Sequence, residues 1–449
     1  MKSPRFTPVI VSLLATGLLA GCTTRPIREE NEARDRVAEL ARIRAELPTP
    51  LLQADSTLED YLRFALLRHP RVAAAHADWR AAVEAITPAR SLPDPKLTFE
   101  ADIADMVMTL MPGLMFDIMG PGKRAAMGRE AAARSEVAYQ AYRTTVLAVA
   151  ADLKKTWADL AYLDDALAIR GDSLAALDRS LAFARADYST GKGMGTLEDQ
   201  VSARTETERI RIEVANLTDQ RVAVRARLKA ALGLRREDPA PVWPTLFSPS
   251  PAPADDDALW AQVLVANPGL GSMRVMVGMA VAEVGVARKT RIPDFAIGGM
   301  VDLKADPLMV RPQAEMTLPI WRDKIAATIA AAEQRREAAT ARLDAEEIGL
   351  AAELAQMTYM FREAERMIDF IDRTALPGIE QSLRSARAGY QSGMTNLSTV
   401  PTMELMALNM RLEKASALRE RERVLADLSL LVVGQAPAGA PLLAVPQPR

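Results

Sequence analysis

The chain has 449 residues, a formal net charge of −2, and 49% hydrophobic against 25% charged residues. This balance is typical of an ordered protein, and the near-neutral charge argues against nucleic acid as a partner. One cysteine excludes an internal disulfide, and with only two histidines the sequence offers no zinc, haem or Cys/His nucleophile pattern. No triad or phosphate loop is visible either, so we predict that the protein is not an enzyme and has no cofactor.

The N-terminus has the pattern of an export signal. A basic start is followed by an apolar run over residues 9–20, which is too short to span a bilayer but fits the core of a signal peptide. The run ends in the sequence LAGC, which resembles a bacterial lipobox and would place a lipid on Cys22. We expect residues 1–21 to be removed, and Thr23 at the next position favours sorting to the outer membrane. The alternative is an ordinary signal peptide with an incidental cysteine.

Four segments have the pattern of β-strands. The first follows a Pro-Asp-Pro turn, and its apolar positions alternate with polar ones: Leu97, Phe99, Ala101 and Ile103. The four predicted strands cover residues 96–106, 110–119, 294–303 and 310–320. About ten residues suffice for a tilted strand that crosses a membrane, although one such strand would also suit a soluble hairpin with one buried face. Four strands cannot close a barrel with a useful lumen, so membrane strands would need several chains.

Long helices are predicted after each strand pair. Apolar residues recur every seven positions, at Leu153, Leu160, Leu167, Leu174 and Leu181 in the first half and at Leu343, Leu350, Met357, Ala364 and Ile371 in the second. This spacing is typical of a left-handed coiled coil. Gly-rich turns would fold segments 124–235 and 322–434 into two helical hairpins. Arms of ~60 residues would reach ~90 Å, which fits no compact core.

The same landmarks occur twice along the chain. An Ala-rich pattern that ends in Pro-Asp before a strand spans residues 68–99 and again 266–297, and the Tyr-x-x-Gly motif at 188–191 returns at 390–393. This period is far too long for a solenoid, so we predict two structural repeats joined by a stiff proline-rich segment. The predicted units are an N-terminal anchor segment (22–57), repeat 1 (58–248), repeat 2 (249–435) and a Pro/Ala-rich tail (436–449).

The order of these features resembles the TolC-like outer-membrane efflux protein family. Further family-like fragments are TLED at 57–60, GPGKR at 120–124 and LP at 376–377. The resemblance implies a mainly α fold with a small β part. It also implies a homotrimer, in which four transmembrane strands per chain form a β-barrel in the outer membrane and long coiled-coil hairpins form an α-barrel through the periplasm. Such a conduit would conduct its substrates passively, and a periplasmic adaptor protein would connect it to an inner-membrane pump.

In such proteins the hairpin turns meet the adaptor. The resemblance therefore assigns adaptor contacts to residues at the two turns: Gly191, Gly193, Leu197, Gly393, Met394 and Leu397. The same glycines would also be needed simply to make the turns, and exposed loop tips carry much recognition. Family members often carry acidic residues beside the second turn, whereas residues 394–399 contain none here and Glu404 lies further along. This departure argues against a ring of carboxylates at the periplasmic mouth.

Methionine is abundant, with 21 in the chain. Thioethers favour Cu(I) and Ag(I), so heavy-metal efflux is one hypothesis for the cargo, with Met106, Met108 and Met111 as candidate contacts. Methionine is also an adaptable apolar filler, and no metal site is predicted. Two other functions remain open: an exit duct for type I protein secretion, and a lipid-anchored periplasmic coiled-coil scaffold without a channel. The alternating strands favour a channel, because a scaffold has no need of them.

Overall fold

The computed structural model describes residues 26–104, 107–190, 197–302, 307–392 and 399–437. The chain is mainly helical. Its helices are α1 (Arg28–Glu46), α2 (Leu58–Arg68), α3 (Pro70–Glu84), α4 (Ile86–Arg90), α5 (Lys123–Thr190), α6 (Leu197–Ala231), α7 (Asp256–Ala266), α8 (Pro268–Lys289), α9 (Arg322–Phe370), α10 (Leu376–Gln391) and α11 (Thr399–Ala426). Its strands are β1 (Lys96–Ala104), β2 (Val107–Ile118), β3 (Phe295–Asp302) and β4 (Met309–Met316).

The four strands form one antiparallel sheet in the order β1-β2-β3-β4. They lie in the four segments that have the strand pattern, although β4 ends at Met316 and does not continue to residue 320. Just beyond it the backbone turns, because Ile320 N donates to Leu318 O and the proline between them has no N–H to give to a ladder. The sheet is therefore slightly shorter on its β4 side than the alternation predicts.

One face of this sheet is apolar across all four strands. The pairing runs from Leu97 to Leu114, then to Gly299 and Pro312, and positions paired in this way share a face. The apolar side chains more than half exposed on this face are Leu97, Phe99, Ile297, Val310 and Met316. The opposite face carries polar and charged residues, among them Lys96, Thr98, Gln313 and Glu315. Sheets with one apolar and one polar face occur where one side is shielded from water, either by packed protein or by lipid.

Helix α5 is the centre of the fold. In the half of the molecule away from the sheet, α6 and α11 pack on α5, and α9 and α10 pack on α11. Nearer the sheet, α3 and α8 pack on α5, and α9 packs on α8. Four layers of helices therefore lie side by side in a row in each half: α6, α5, α11 and then α9 with α10 away from the sheet, and α3, α5, α8 and α9 near it. The largest buried cluster lies where α2 and α3 meet α5 and includes aromatic rings in mutual contact: Tyr61, Trp79, Tyr139, Tyr142 and Trp157.

A pair of helices precedes each strand pair, and the second helix of both pairs begins in the same way. His69 caps α3 and Asn267 caps α8 through their side chains, and a proline follows each cap. The chain later returns to each cap at a glycine with φ +75°, Gly233 beside His69 and Gly434 beside Ala266 and Asn267. A Cβ atom would lie 2.8 Å from the His69 Cα at the first glycine and 2.5 Å from the Ala266 carbonyl oxygen at the second. Both the backbone conformation and the close approach require glycine there.

The predicted coiled-coil seams are buried to different extents. In α5, Leu153 and Leu160 are fully buried, and so are Leu163 and Leu177, which the heptad pattern places between the recurring leucines. The later recurring leucines are half-buried, and Ser173 is buried in their place. An α-helix has 3.6 residues per turn, so a seam drifts away from a strict seven-residue repeat. In α9 the seam stays closer to its pattern: its buried members are Leu350, Leu354, Phe361 and Ala364, and the buried Ile371 follows directly after the helix.

The second hairpin has a break that the heptad pattern did not predict. Between α9 and α10, residues Ile371–Ala375 form a π-helical turn, and Pro377 is the second residue after it. Proline has no N–H, and its ring clashes with the carbonyl group four residues earlier. A wider turn before the proline relieves this clash and lets the chain continue in nearly the same direction. In the first hairpin, α5 runs without a break for 68 residues.

A buried ion pair holds α1 in place. Helix α1 packs on α3 and α5, and Glu30 is 1% exposed beside Arg90, which is 7% exposed. The Arg90 guanidinium donates to both Glu30 oxygens, and the Thr87 hydroxyl donates to Oε1 at 2.7 Å. Burial acts to raise the pKa of Glu30, but these hydrogen bonds and the charge of Arg90 outweigh it, so the pKa is lowered from 4.5.

Substitution of Arg90→Ala is expected to destabilise the N-terminal part of the protein by about 3–5 kcal/mol, because it leaves the Glu30 carboxylate buried without its main partner. A lower unfolding temperature and faster proteolysis near α1 would show this. Arg28→Ala is the control, since Arg28 pairs with Glu32 on the surface of the same helix. Equal effects of the two substitutions would contradict the assignment. A carboxylate with a lowered pKa stabilises the fold above pH 4.5, and this contribution is lost in acid.

Candidate functional site: the turn end of the hairpins

Most of the predicted site residues lie outside the described part of the chain. These are the predicted lipid site Cys22 and the predicted adaptor contacts Gly191, Gly193, Gly393, Met394 and Leu397. Leu197, the sixth predicted contact, begins α6. The helix ends on either side of the two turns are described, and they show how the hairpins meet.

An ion-pair cluster joins the two hairpins near their turns. We call it the clip: Arg179 of α5, Arg387 of α10 and Glu404 of α11. Arg387 Nη2 donates to Glu404 Oε1 at 2.9 Å, and Arg179 Nη2 donates to Glu404 Oε2 at 3.1 Å. Glu404 lies in the second turn of α11, so the clip is close to the end of the second hairpin. One carboxylate therefore connects three helices from both hairpins.

The clip is charged but weak. Partial burial of Glu404 acts to raise its pKa, but the hydrogen bonds and charges of Arg387 and Arg179 outweigh burial and lower the pKa from 4.5. Both arginine side chains are more than half exposed. Exposed pairs of this kind contribute under about 1 kcal/mol each, because water screens them and the side chains lose freedom. The clip can therefore form and break at little cost.

The rest of the seam between the hairpins is also bridged by polar contacts. Along the seam the contacts are Arg170 with Asn409 (2.9 Å), Asp159 with Arg423 (2.9 Å), and Lys155 with Asp427 (3.0 Å). They connect α5 to α11 and to the π-helical segment Asp427–Val432 that follows α11. Polar groups at such a seam can exchange their partners for water when the helices separate.

No pattern in the sequence predicts the clip. Glu404 stands 225 positions from Arg179 and 17 from Arg387, so no local motif connects them. The expectation that the second turn itself brings no carboxylate to the mouth falls on residues outside the described part. Just beyond that turn, the nearest carboxylate of α11 is engaged with two arginines.

At the other end of the hairpins, Asp294 ties the two strand pairs together. Its carboxylate accepts from Gly120 N at 2.7 Å and from Lys123 Nζ at 2.8 Å. Its backbone N–H donates to the Thr317 hydroxyl at 2.7 Å, so the start of β3 is fixed to the end of β4 as well. Burial acts to raise the pKa of Asp294, but Lys123 and Gly120 outweigh it and lower the pKa. The second Pro-Asp motif thus anchors the sheet to the helices.

The predicted methionine contacts stay a prediction. Met106 lies outside the described residues. Met108 and Met111 both belong to β2. In the described ranges, no group of three or more His, Cys, Asp or Glu side chains could hold a metal ion.

A different methionine cluster lies on the polar face of the sheet. Met111, Met115 and Met300 are 2%, 6% and 6% exposed. Gly113 pairs with Met300 and leaves room for it, since a Cβ at Gly113 would lie 2.5 Å from the Met300 Cγ. Two of the three were present in the methionine-rich segment of the sequence, but Met300 is brought to them only by the pairing of β2 with β3.

Comparison with known proteins gives a family match in both halves of the chain. A family model described as outer membrane efflux protein matches residues 62–234 and 259–432. No curated protein matches the chain.

Solved structures of outer-membrane channels are similar in fold. VceC from Vibrio cholerae is 18% identical, with 84% of this chain and 96% of that chain covered and a TM-score of 0.68. The open state of MtrE from Neisseria gonorrhoeae is 15% identical, with 87% and 96% covered and a TM-score of 0.69. CusC is 16% identical, with 88% and 96% covered and a TM-score of 0.72. At these identities the similarity establishes the fold alone.

Proposed function

Because the chain belongs to the outer membrane efflux protein family, we propose that three copies of it form a tube that conducts substrates passively across the periplasm and the outer membrane. Membership of the family makes the protein an outer-membrane efflux channel of a Gram-negative bacterium, and so a transport protein and not an enzyme. The trimer, the lipid anchor, the partners and the cargo are the parts that the proposal adds.

The open edges of the sheet carry the proposal. Within the described residues, β1 pairs with β2 alone and β4 with β3 alone, so each has an unpaired outer edge. In a membrane such an edge is untenable, because its N–H and C=O groups find no water. Neighbouring copies would supply the missing partners while the apolar face meets lipid. Three copies of four strands would give the twelve-stranded barrel that the family resemblance implies.

The helix row supports the same assembly. At the level of the hairpins the row ends with α6 on one side and with α9 and α10 on the other. Both end layers carry exposed large apolar side chains: Val201, Ile212 and Val222 on α6, and Ile348, Tyr359, Met367 and Phe370 on α9. Exposed apolar residues concentrated at both ends of a row favour burial against another copy.

An internal duplication would explain why one chain can supply two hairpins to such a ring. The order of helix pair, strand pair and hairpin occurs in both halves, and the family match also falls into two segments. The equivalent caps at His69 and Asn267, with their returning glycines, support two repeats as well.

Electron-microscope images of the purified full-length protein in detergent are expected to show a threefold tube more than ~100 Å long, because the 68 residues of α5 alone span about 100 Å. A monomer or a flat dimer would contradict the trimer. A protein that becomes fully soluble once its lipid is removed would favour the periplasmic scaffold.

Lipidation at Cys22 would hold the mature chain on the outer membrane. The lipobox-like sequence before this residue supports it. Mass spectrometry of the mature N-terminal peptide tests this directly, and an unmodified Cys22, or a signal peptide cut elsewhere, would refute it.

The hairpin turns would meet a periplasmic adaptor, which in turn would engage an inner-membrane pump indirectly. The predicted contacts are those at residues 191–197 and 393–397. Site-specific photo-crosslinking from Leu197 and Leu397 in cells would test this, with a label at the exposed Gln220, far along α6 from the turn and outside the apolar set of that helix, as the control. Equal adaptor capture from all three positions would contradict docking at the turns.

Heavy-metal ions such as copper or silver are one candidate cargo. The observation that favours them is the cluster of Met111, Met115 and Met300 on the polar face, where thioethers would face the lumen of the proposed barrel. Deletion of the gene should then lower tolerance to copper or silver more than tolerance to drugs. Unchanged metal tolerance would refute this cargo and leave drugs or secreted proteins.

A further inference from the structure

The closing contact between two copies can be assigned residue by residue, on the basis of the trimer proposed above. The starting point is that the two strand pairs share one register. Lys96 of β1 pairs with Met115 of β2, and Ala296 of β3 pairs with Glu315 of β4. Each residue of the second pair lies 200 positions after its counterpart in the first pair. The Pro-Asp motifs at residues 93–94 and 293–294 are separated by the same interval. The two strand pairs are therefore equivalent at every position.

The pairing of β2 with β3 shows how the first strand pair meets the second. In that junction Met115 pairs with Gly298, and Gly113 pairs with Met300. In a closed ring built from equivalent strand pairs, the junction of β4 with the β1 of the next copy repeats this geometry. We infer that Glu315 of one copy pairs with Thr98 of the next copy, and that the other positions of the two strands follow in the same antiparallel register.

The faces of the sheet agree with this register. It places Met316 opposite Leu97 and Ala314 opposite Phe99, so the apolar face continues from one copy to the next. It places Glu315 and Gln313 of β4 opposite polar positions of β1. A slip by one residue would set the apolar side chains of one strand beside the polar side chains of the other.

Two polar side chains on the edge strands face complementary groups in this register. The Thr98 hydroxyl is buried, and within the described residues it has no hydrogen-bond partner in the single chain. The Glu315 carboxylate of the neighbouring copy would stand directly opposite and would accept a hydrogen bond from this hydroxyl. Arg311, which lies 3.5 Å from Asp302 in its own chain, would stand opposite position 102 of the next copy, which is also an aspartate. Both pairings complement charge or hydrogen-bonding capacity across the junction.

A pair of engineered cysteines tests the register in the assembled protein. The variant Thr98→Cys with Glu315→Cys is oxidised in the membrane and run on a denaturing gel without reductant. Directly opposed residues of antiparallel strands have Cα atoms about 4.5–5.5 Å apart, which suits a disulfide. We expect most of the protein to migrate as a covalent trimer that returns to monomer on reduction. The native Cys22 lies outside both strands, and each single-cysteine variant controls for it.

Two matched pairs distinguish the register from its alternatives. Thr98→Cys with Ala314→Cys puts the thiols on opposite faces, and Thr98→Cys with Thr317→Cys corresponds to a slip of two residues. We expect at least about tenfold less crosslinking from both, since their geometry falls outside the disulfide range. Stronger crosslinking from either pair, in a protein that light scattering shows to be trimeric, would overturn the register. A wild-type protein that is not trimeric would instead overturn the proposed function.

Discussion

Replacing Leu114 by arginine is expected to keep the protein out of the outer membrane. Leu114 lies near the middle of β2 on the apolar face, between Leu97 and Gly299. A lipid-facing arginine near the bilayer midplane costs about 2–4 kcal/mol in each chain, and in the proposed trimer that cost is incurred three times. The protein should then fail to appear as a membrane-embedded trimer, which fractionation and gels of unheated samples would show.

The control for this experiment is Gln313→Arg. Gln313 lies on the polar face of β4, next to a strand position that already tolerates Arg311. In a barrel this face meets water, so the added charge should leave assembly close to wild type. A Leu114→Arg protein that assembles as well as the control would mean that the apolar face does not contact lipid. It would then fit the soluble hairpin that the alternation alone also allowed.

If the clip holds the two hairpins together at the periplasmic end, removing the charge of Glu404 is expected to open that end. The Glu404→Gln substitution keeps the size of the side chain but weakens its contacts with Arg179 and Arg387. Each exposed pair contributes under about 1 kcal/mol, so loss of the clip in three copies would shift the ratio of closed to open forms by roughly 10- to 100-fold. Single-channel conductance in planar bilayers should rise, and cells should become more sensitive to large antibiotics.

Glu206→Gln provides the matched control, because Glu206 pairs with Arg209 within α6 and does not connect the hairpins. Unchanged conductance in Glu404→Gln, or an equal rise in the control, would contradict the role of the clip. The pH dependence follows from the lowered pKa of Glu404. Its carboxylate is charged above pH 4.5, so the clip should persist at neutral and mildly acid pH and weaken only as the pH falls through the lowered pKa.

The sequence predicted the strands and hairpins because their patterns are local. Alternation marks a strand whose two faces meet different media, and it placed β1 within two residues of its observed end. Heptads predicted the α9 seam well, but they predicted the α5 seam only in part, because no residue pattern states how far a straight helix drifts from its repeat. The break before Pro377 was visible as a proline, yet its form as a wide turn follows from the backbone and not from the residue type.

The clip and the methionine cluster could not be predicted, because each joins residues from distant parts of the chain. Arg179 and Glu404 meet only once α5 and α11 lie side by side, and Met300 reaches Met115 only through the register of β2 and β3. The buried Glu30 was also invisible, since a glutamate among other charged residues of α1 gives the pattern of a solvent-exposed helix. Long-range partners decide which of many similar charges matter.

The π-helical turn at Ile371–Ala375 makes the two hairpins of one chain mechanically unequal. The first hairpin is built on an uninterrupted 68-residue rod, whereas the second has a weak point next to Pro377 where bending costs few backbone hydrogen bonds. In the proposed ring, the stiff first hairpins and the bendable second hairpins would alternate around the periplasmic opening. The opening should then widen with threefold and not sixfold symmetry, because the second hairpins would bend outward while the first hairpins keep their position. Images of the Glu404→Gln variant would show whether all six hairpins move or only three.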